Sequence, residues 1–142
     1  MELIDEIRRD IPSILGGDTK KLVEDAKKLG EHLGSRGLST SQIRTIFSEV
    51  KQMREYDRDK LNLLRPKMAY IAGRHGKRKE GRLVGPIVDL QEVLDECIRK
   101  ISSEEDFKNF KYFFEAILAY HRYYEEANEY GNEFRGKDTD NR

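Results

Sequence analysis

The sequence has few cysteines and no long apolar run, and each shortage excludes a class of protein. A single cysteine, Cys97, excludes an internal disulfide framework and a zinc site of the CxxC type. No stretch approaches the roughly 18 consecutive apolar residues that a membrane-spanning helix needs. The N-terminus is acidic, whereas a signal peptide begins with basic and then apolar residues. We therefore expect a cytoplasmic protein that does not enter a membrane.

The sequence also lacks a net charge, because 27 Lys and Arg residues balance 27 Asp and Glu residues. The balance is uneven along the chain. Residues 35–82 carry 13 basic and five acidic side chains, and the flanking segments carry the compensating negative charge. This asymmetry is typical of a protein with an anionic partner such as nucleic acid, and the alternative is a solvated loop that happens to be basic.

Proline is scarce, with three residues, and apolar residues recur at helical rather than strand spacing, which predicts an all-α fold. We expect a bundle of five to six helices. Five predicted helices lie near residues 2–10, 19–33, 39–56, 59–74 and 103–130, and a further one begins at Pro86.

Polar and proline residues indicate where these helices begin. Asp18 is expected to cap the second helix, and Ser39 with Gln42 forms a capping box for the third. A second capping box is expected at 102–105, before the longest helix. Pro66 must either begin a new helix or kink the existing one, because proline lacks an N–H group and clashes with the preceding turn.

The pattern predicts a single helical domain over residues 1–142, without internal repeats. Residues 1–17 are expected to form a peripheral helix, which ends before Pro12, and a turn. Residues 75–82 combine two glycines with neighbouring like charges, which predicts a mobile basic surface loop. Residues 131–142 are expected to form a flexible tail.

Histidines are also few, and their spacing favours no metal site. His32, His75 and His121 are far apart and lack an HxxxH or HxxE partner, so we expect no bound metal and no cofactor. His121 is expected to be a hydrogen-bonded core histidine and Cys97 a buried structural cysteine. No phosphate-binding loop or GxSxG motif is present, and His75 in a mobile loop is poorly placed for acid–base cleavage of RNA. We predict no catalytic residues and no enzyme activity.

Two predicted helices present basic faces opposite their apolar stripes. In the helix 39–56, Arg44, Ser48 and Lys51 follow one another at i, i+4 and i+7. If the helical pattern continues through 67–78, five residues form a second face: Lys67, Tyr70, Arg74, Lys77 and Arg78. Phosphate oxygens suit such faces, because Arg, Lys and hydroxyl groups bind them without reading bases. Tyr70 is suited to stack on a base, although core packing explains it equally well.

Three blocks of sequence resemble a known family. The blocks occur in the order found in the small subunit of type III-A CRISPR effector complexes, and they are Ser39–Arg44, Leu64–Arg74 and Phe110–His121. The middle block, LRPKMAYIAGR, is the most specific. The resemblance spans about residues 39–121, and neither the first 35 residues nor the tail contributes to it.

The resemblance implies a small helical bundle without enzymatic activity that takes part in antiviral defence. In such complexes several copies of the small subunit stack beside the backbone subunits and help to line the channel where guide RNA pairs with target RNA. The implied partners are the guide RNA, the target RNA, the backbone and large subunits, and further copies of the chain. Cleavage and cyclic oligoadenylate synthesis belong to the other subunits.

The resemblance also implies roles for individual residues. Five residues match the family's motif positions and are implied to be RNA-facing or structural: Arg44, Arg65, Lys67, Tyr70 and Arg74. Arg65, next to Pro66, is equally suited to tie the helix junction through an ion pair. Lys51 is a candidate RNA contact by its place on the third helix. Four candidates depend on charge alone: Lys77, Arg78, Lys79 and Arg82.

Two alternatives come from other functional classes. A helix-turn-helix protein would use the helix 39–56 to read DNA bases, but the turn 34–37 and the few basic residues of that helix disfavour it. A protein–protein adaptor would use the aromatic helix 103–130 as its interface and leave the basic loop idle. That helix presents more apolar surface than a small bundle needs, so we also predict self-association of the isolated chain, with helix exchange as one route to a dimer.

Overall fold

The computed structural model describes the backbone of residues 2–134 and the side chains of residues 2–125. Over this part of the chain, helices predominate and a short hairpin interrupts them, which confirms the predicted all-α bundle. The elements in chain order are α1 (Glu2–Leu15), α2 (Thr19–Ser35), α3 (Thr40–Lys51), α4 (Arg58–His75), β1 (Lys77–Lys79), β2 (Arg82–Val84), α5 (Pro86–Lys100) and α6 (Glu104–Phe134).

Helix α6 forms the centre of the bundle. Four phenylalanines on this helix are each at most 1% exposed: Phe107, Phe110, Phe113 and Phe114. Helix α2 packs along α6 over the longest contact, and α1 and α3 also pack against α6. Helix α5 packs against both α1 and α4. Helix α4 therefore lies at the periphery of the bundle and contacts it mainly through α5. That arrangement leaves one long side of α4 open to solvent.

Two predictions for the N-terminal residues are wrong, and both concern helix α1. It continues through Pro12 to Leu15 instead of ending before the proline, and it belongs to the core instead of the periphery. The reason is its apolar stripe, in which Ile4, Ile7, Ile11 and Ile14 are each at most 2% exposed. Burying such a stripe outweighs the roughly 3 kcal/mol that a proline costs inside a helix.

The predicted starts of α2 and α3 are confirmed. The Asp18 carboxylate accepts a hydrogen bond from the backbone N–H of Lys21 at 3.0 Å. At α3 the capping box is complete, because the Ser39 hydroxyl accepts from the Gln42 N–H at 3.2 Å and the Gln42 side chain accepts from the Ser39 N–H at 3.4 Å.

The start of α6 lies one residue later than the predicted box at 102–105. The Ser103 hydroxyl accepts a hydrogen bond from the Asp106 N–H at 3.0 Å, and the Asp106 carboxylate accepts from the Ser102 N–H at 3.0 Å. The acidic residue of the cap is therefore Asp106 and not the predicted Glu105. Asp106 takes this place because it stands three residues after Ser103.

One further helix end differs from its prediction, because α3 ends at Lys51, several residues before the predicted position 56. Helix α4 runs across Pro66 from Arg58 to His75, so the proline lies inside the existing helix and does not begin a new one. Pro66 is exposed while Leu64, Met68 and Ala72 on the other side of α4 are buried, so packing holds the helix together at the missing hydrogen bond. Residues 131–134 continue α6 as helix, and the rest of the expected flexible tail, 135–142, lies outside the described residues.

The segment 75–82 is not the predicted loop, because most of it forms a β-hairpin. Strands β1 and β2 pair antiparallel with Lys79 opposite Arg82. The two residues of the turn, Glu80 and Gly81, have φ angles of 51° and 78°, which is the geometry of a type I′ turn. Leu83 packs against the core and fixes the hairpin to the bundle. The like charges that indicated a loop are all exposed to solvent, where they do not prevent strand pairing.

Candidate nucleic-acid interface

The open side of α4 alternates basic and large apolar residues. Five residues at helical spacing share this exposed face: Lys60, Leu63, Lys67, Tyr70 and Arg74. Leu63 is 65% exposed and Tyr70 is 68% exposed, so neither contributes to the core. Tyr70 therefore does not pack in the core, and its ring is open to a partner.

The hairpin adds a second group of cations next to the end of α4. Partners in an antiparallel pair lie on the same side of a hairpin, so Lys77 shares a side with Val84, and Lys79 shares that side with Arg82. Arg78 lies on the other side with Leu83, which packs against the core. Lys77, Lys79 and Arg82 therefore project together, away from the bundle.

The predicted helical face through residue 78 is wrong. Helix α4 ends at His75, and Gly76 adopts an extended conformation that starts the hairpin. A Cβ atom at Gly76 would lie 2.7 Å from the Ala72 carbonyl oxygen and 2.9 Å from a Val88 methyl group, so the chain turns where only glycine fits. Lys67, Tyr70 and Arg74 remain on α4, while Lys77 and Arg78 point to opposite sides of β1.

A groove of about 410 Å³ separates α3 from α4. Thr45 and Glu49 line it from α3, and Lys67 and Tyr70 are among the residues that line it from α4. The Lys67 ammonium lies 3.0 Å from a Glu49 carboxylate oxygen, and this ion pair bridges the two helices. The charge of Lys67 is thus partly neutralised within the chain.

Arg65 lies apart from the other candidates, at the contact between α4 and α5. Its guanidinium makes two hydrogen bonds to the Asp95 carboxylate, with Nε to Oδ1 at 2.7 Å and Nη2 to Oδ2 at 3.3 Å. The hydrogen bond to Asp95 raises the pKa of Arg65 above its ordinary value. Of the two roles left open by the sequence, this geometry favours the structural one.

The remaining candidates carry charge that the described part of the chain does not neutralise. Arg44 and Lys51 are exposed on α3, opposite its buried Ile43, Ile46 and Val50. Among the nine candidate cations, Arg65 and Lys67 are the two that form ion pairs with described residues. The other seven are exposed: Arg44, Lys51, Arg74, Lys77, Arg78, Lys79 and Arg82.

A comparison with known protein families shows which family the chain belongs to. The family model described as Csm2 Type III-A matches residues 17–127, which is well over half of the chain. The chain belongs to this family. It is therefore a subunit of a type III-A CRISPR-Cas effector complex, and the resemblance of the three sequence blocks is confirmed. No curated protein and no solved structure matches the chain significantly.

The Csm2 match covers more of the chain than the three blocks did. It begins at residue 17, so α2 belongs to the family region although the first 35 residues contributed nothing to the resemblance. All ten candidate RNA contacts lie within the match, whereas α1 lies before it. None of the described helices is long and apolar enough to cross a membrane.

The structure confirms that His121 and Cys97 are buried, as the sequence predicted. His121 is fully buried, and its Nε2 lies 2.6 Å from the Leu38 carbonyl oxygen, which confirms a hydrogen-bonded core histidine. Cys97 is fully buried on α5, and burial raises the pKa of its thiol well above the usual range. Such a thiol remains protonated and unreactive at neutral pH.

His32 forms a contact that was not predicted from the sequence. Its Nδ1 accepts a hydrogen bond from Arg36 at 2.8 Å, since an arginine only donates. Its Nε2 then carries the proton and donates to the Asp89 carboxylate at 2.7 Å. The pair joins α2 to α5 across 57 residues of sequence, and no local pattern indicates it.

Proposed function

We propose that this chain is a non-catalytic small subunit that stacks in copies along the channel where guide RNA pairs with target RNA. Its contact with the RNA is proposed to run along α4 and the hairpin, and to involve mainly the phosphate backbone. The observation that carries this proposal is the outward side of the hairpin, where Lys77, Lys79 and Arg82 project together without an acidic partner among the described residues.

The cross-strand pair of Lys79 and Arg82 supports an anionic partner. Like charges directly opposite each other destabilise an isolated hairpin, and bound phosphate removes that repulsion. Arg and Lys bind phosphate oxygens without reading bases, so the expected binding tolerates sequence differences. Exposed Tyr70 on the adjoining face of α4 is suited to stack on an unpaired base.

The zero net charge supports stacking of several copies. The positive charge of residues 35–82 is balanced by the flanking segments, so copies approach one another without cumulative repulsion. Two exposed aromatic residues of α6, Tyr112 and Tyr123, offer surface for contact with a neighbouring subunit. The same surface supports self-association of the isolated chain.

Charge reversal tests the RNA contact. Lys77, Lys79 and Arg82 are changed together to Glu, and binding to single-stranded RNA is followed by fluorescence anisotropy at several salt concentrations. We expect at least tenfold weaker binding and a smaller salt dependence, by about 0.7 in log–log slope for each phosphate that the variant no longer neutralises. The matched control changes exposed Arg9, Lys20 and Lys27 of α1 and α2 to Glu, which alters the net charge equally and should preserve the slope.

The outcomes separate the proposal from its alternatives. Equal affinity and slope in the hairpin variant and the wild type would refute the RNA contact and favour a protein adaptor. Binding to one duplex DNA sequence in preference to RNA would favour the helix-turn-helix alternative. A separate purification of the assembled complex distinguishes assembly from RNA binding: the hairpin variant should still assemble with the other subunits while the complex binds target RNA more weakly.

A further inference from the structure

Helices α1 and α2 carry a cluster of three carboxylates that the proposed RNA contact does not use. Glu6 and Asp10 stand one turn apart on α1, and Asp25 reaches them from α2. One carboxylate oxygen from each residue lies within 4.8 Å of the other two. Glu6 and Asp10 precede the region matched by the family model, whereas Asp25 lies within it.

Asp25 distinguishes this cluster from an ordinary acidic surface. The residue is 2% exposed, and its Oδ2 atom is buried without a hydrogen-bond partner among the described residues. A buried carboxylate oxygen without a donor is costly, so such atoms are usually satisfied by a protein group, a water molecule or an ion. The orphaned oxygen belongs to the same side chain that joins Glu6 and Asp10.

Two nearby lysines form ion pairs with the other two carboxylates, those of Glu6 and Asp10. Lys28 lies 2.9 Å from Glu6, and Lys21 lies 3.7 Å from Asp10. Both lysine side chains are substantially exposed, so they are free to move outward when another cation enters. The region therefore holds three acidic groups and two mobile cations, and Asp25 lacks a direct ion pair of its own.

We propose that Glu6, Asp10 and Asp25 bind a divalent cation of the class that prefers oxygen ligands, and that this ion fastens α1 to α2. Carboxylate oxygens are the ligands that Ca²⁺, Mn²⁺ and Mg²⁺ prefer. Oxygens on opposite sides of a calcium ion stand about 4.6 to 5.2 Å apart, and neighbouring ones stand closer. The observed separation meets this requirement for Ca²⁺ without a large movement of either helix. Water completes the coordination on the exposed side of Glu6 and Asp10.

Thermal unfolding of the full chain tests the site, with Ca²⁺, Mn²⁺ or Mg²⁺ chloride added after treatment with a chelator. We expect at least one of these ions to raise Tm by roughly 5 to 10 °C at a hundredfold excess over its Kd. A decrease of the free Mn²⁺ signal in electron paramagnetic resonance should give about one ion per chain.

Three variants make the test specific. Asp25→Asn should raise Tm in the absence of metal, because it removes a buried charge, and should abolish the metal-dependent rise. Glu6→Gln, at a half-buried position where the fold depends less on the side chain, should weaken metal affinity at least tenfold and so reduce the rise. The control Glu92→Gln changes an exposed carboxylate on α5 and should keep the full response.

Two results would overturn the proposal. Either the wild type shows no metal-dependent change in Tm, or Asp25→Asn and Glu6→Gln respond as the wild type does. The first result means that no divalent cation occupies the cluster, and the second means that the ion binds elsewhere on the chain. If Asp25→Asn does not fold, Glu6→Gln decides the outcome by itself.

Discussion

The backbone of α2 lies directly against α6 at Gly30 and Tyr120. A Cβ atom added to Gly30 would stand 2.6 Å from the Cβ of Tyr120 and 2.8 Å from the backbone nitrogen of His121. Gly34, one turn later, is also close to α6, with its Cβ position 3.2 Å from the His121 carbonyl oxygen. These two glycines allow the close approach that gives α2 and α6 the longest contact in the bundle.

Gly30→Ala is therefore expected to destabilise the protein. The nearest atoms include backbone of α6, which does not rotate away as a flexible side chain does, so we expect the free energy of unfolding to fall by about 2 to 3 kcal/mol. Urea denaturation measures the change. The matched control is Gly73→Ala in α4, where nothing lies within 4 Å of the added Cβ. That variant should gain about 0.5 to 1 kcal/mol, because alanine favours a helix. Equal stability of the two variants would contradict the close packing of α2 and α6.

The ion pair between Arg65 and Asp95 gives a prediction about a residue that the family resemblance left ambiguous. Arg65→Ala should lower the free energy of unfolding by less than about 1 kcal/mol, because the arginine is 41% exposed and water screens the pair. Asp95→Asn should cost a similar amount, and the double variant should cost less than the sum of the two. Arg65→Ala should also weaken RNA binding less than the hairpin charge reversal does. A larger loss of RNA affinity in Arg65→Ala would assign the residue to the RNA surface.

The hairpin turn predicts opposite effects at two neighbouring positions. Gly81→Ala forces a side chain into a residue with φ of 78°, so it should destabilise the hairpin by about 1 kcal/mol. Glu80→Asn should strengthen the hairpin, since asparagine tolerates the positive φ of 51° better than glutamate. Hydrogen exchange should change at the amides of 77–84 in opposite directions while the amides of α6 stay protected. Loss of protection throughout the bundle in Gly81→Ala would show that the hairpin is part of the global folding unit.

Glu96 gives a prediction for acidic pH. Burial alone would raise the pKa of Glu96, but hydrogen bonds from Arg8 and Lys100 and the charge of Arg99 outweigh it and lower the pKa. Because the folded state holds this proton less tightly than the unfolded state, the group stabilises the fold above about pH 4.5. That contribution is lost as pH falls through the lowered pKa.

The measurement compares wild type and Glu96→Gln by urea denaturation from pH 7 to pH 3. At pH 7 we expect the wild type to be more stable by about 0.5 to 1 kcal/mol, and the difference should shrink as the pH falls from 4.5 towards 3. Glu92→Gln, at an exposed position of the same helix, should show little dependence on pH. A difference between wild type and Glu96→Gln that stays constant down to pH 3 would mean that packing, not charge, is responsible.

Local patterns predicted the helices well because each depends on residues close in the sequence. The caps at Asp18 and Ser39 follow from side chains three residues before the N–H groups that they satisfy. The predicted helix end before Pro12 is wrong, because the sequence shows the local cost of a proline but not the compensating burial of Ile11 and Ile14. The hairpin was missed because Glu80 stands where asparagine usually indicates a type I′ turn.

The candidate RNA surface was predicted in its charge and not in its geometry. The excess of positive charge over residues 35–82 was evident, and it led to the cations of α4 and the hairpin. Sequence spacing placed Lys77 and Arg78 on one helical face, whereas the break at Gly76 sets them on opposite sides of a strand. Whether a cation was paired also depended on a partner elsewhere in the chain, as Glu49 is for Lys67.

The sequence by itself determined the helical class, most of the core residues, the basic middle segment and the family. These properties depend on periodicity, composition and short motifs, which a chain carries before it folds. The tertiary structure decided which charges remain available: Arg65 is held by Asp95, 30 residues away, while Lys79 and Arg82 project together from the hairpin. It also brought Asp25 to Glu6 and Asp10 on another helix. Such relationships depend on how elements distant in the chain pack together. Sequence spacing does not give the distance between side chains on different helices, because helix packing sets it.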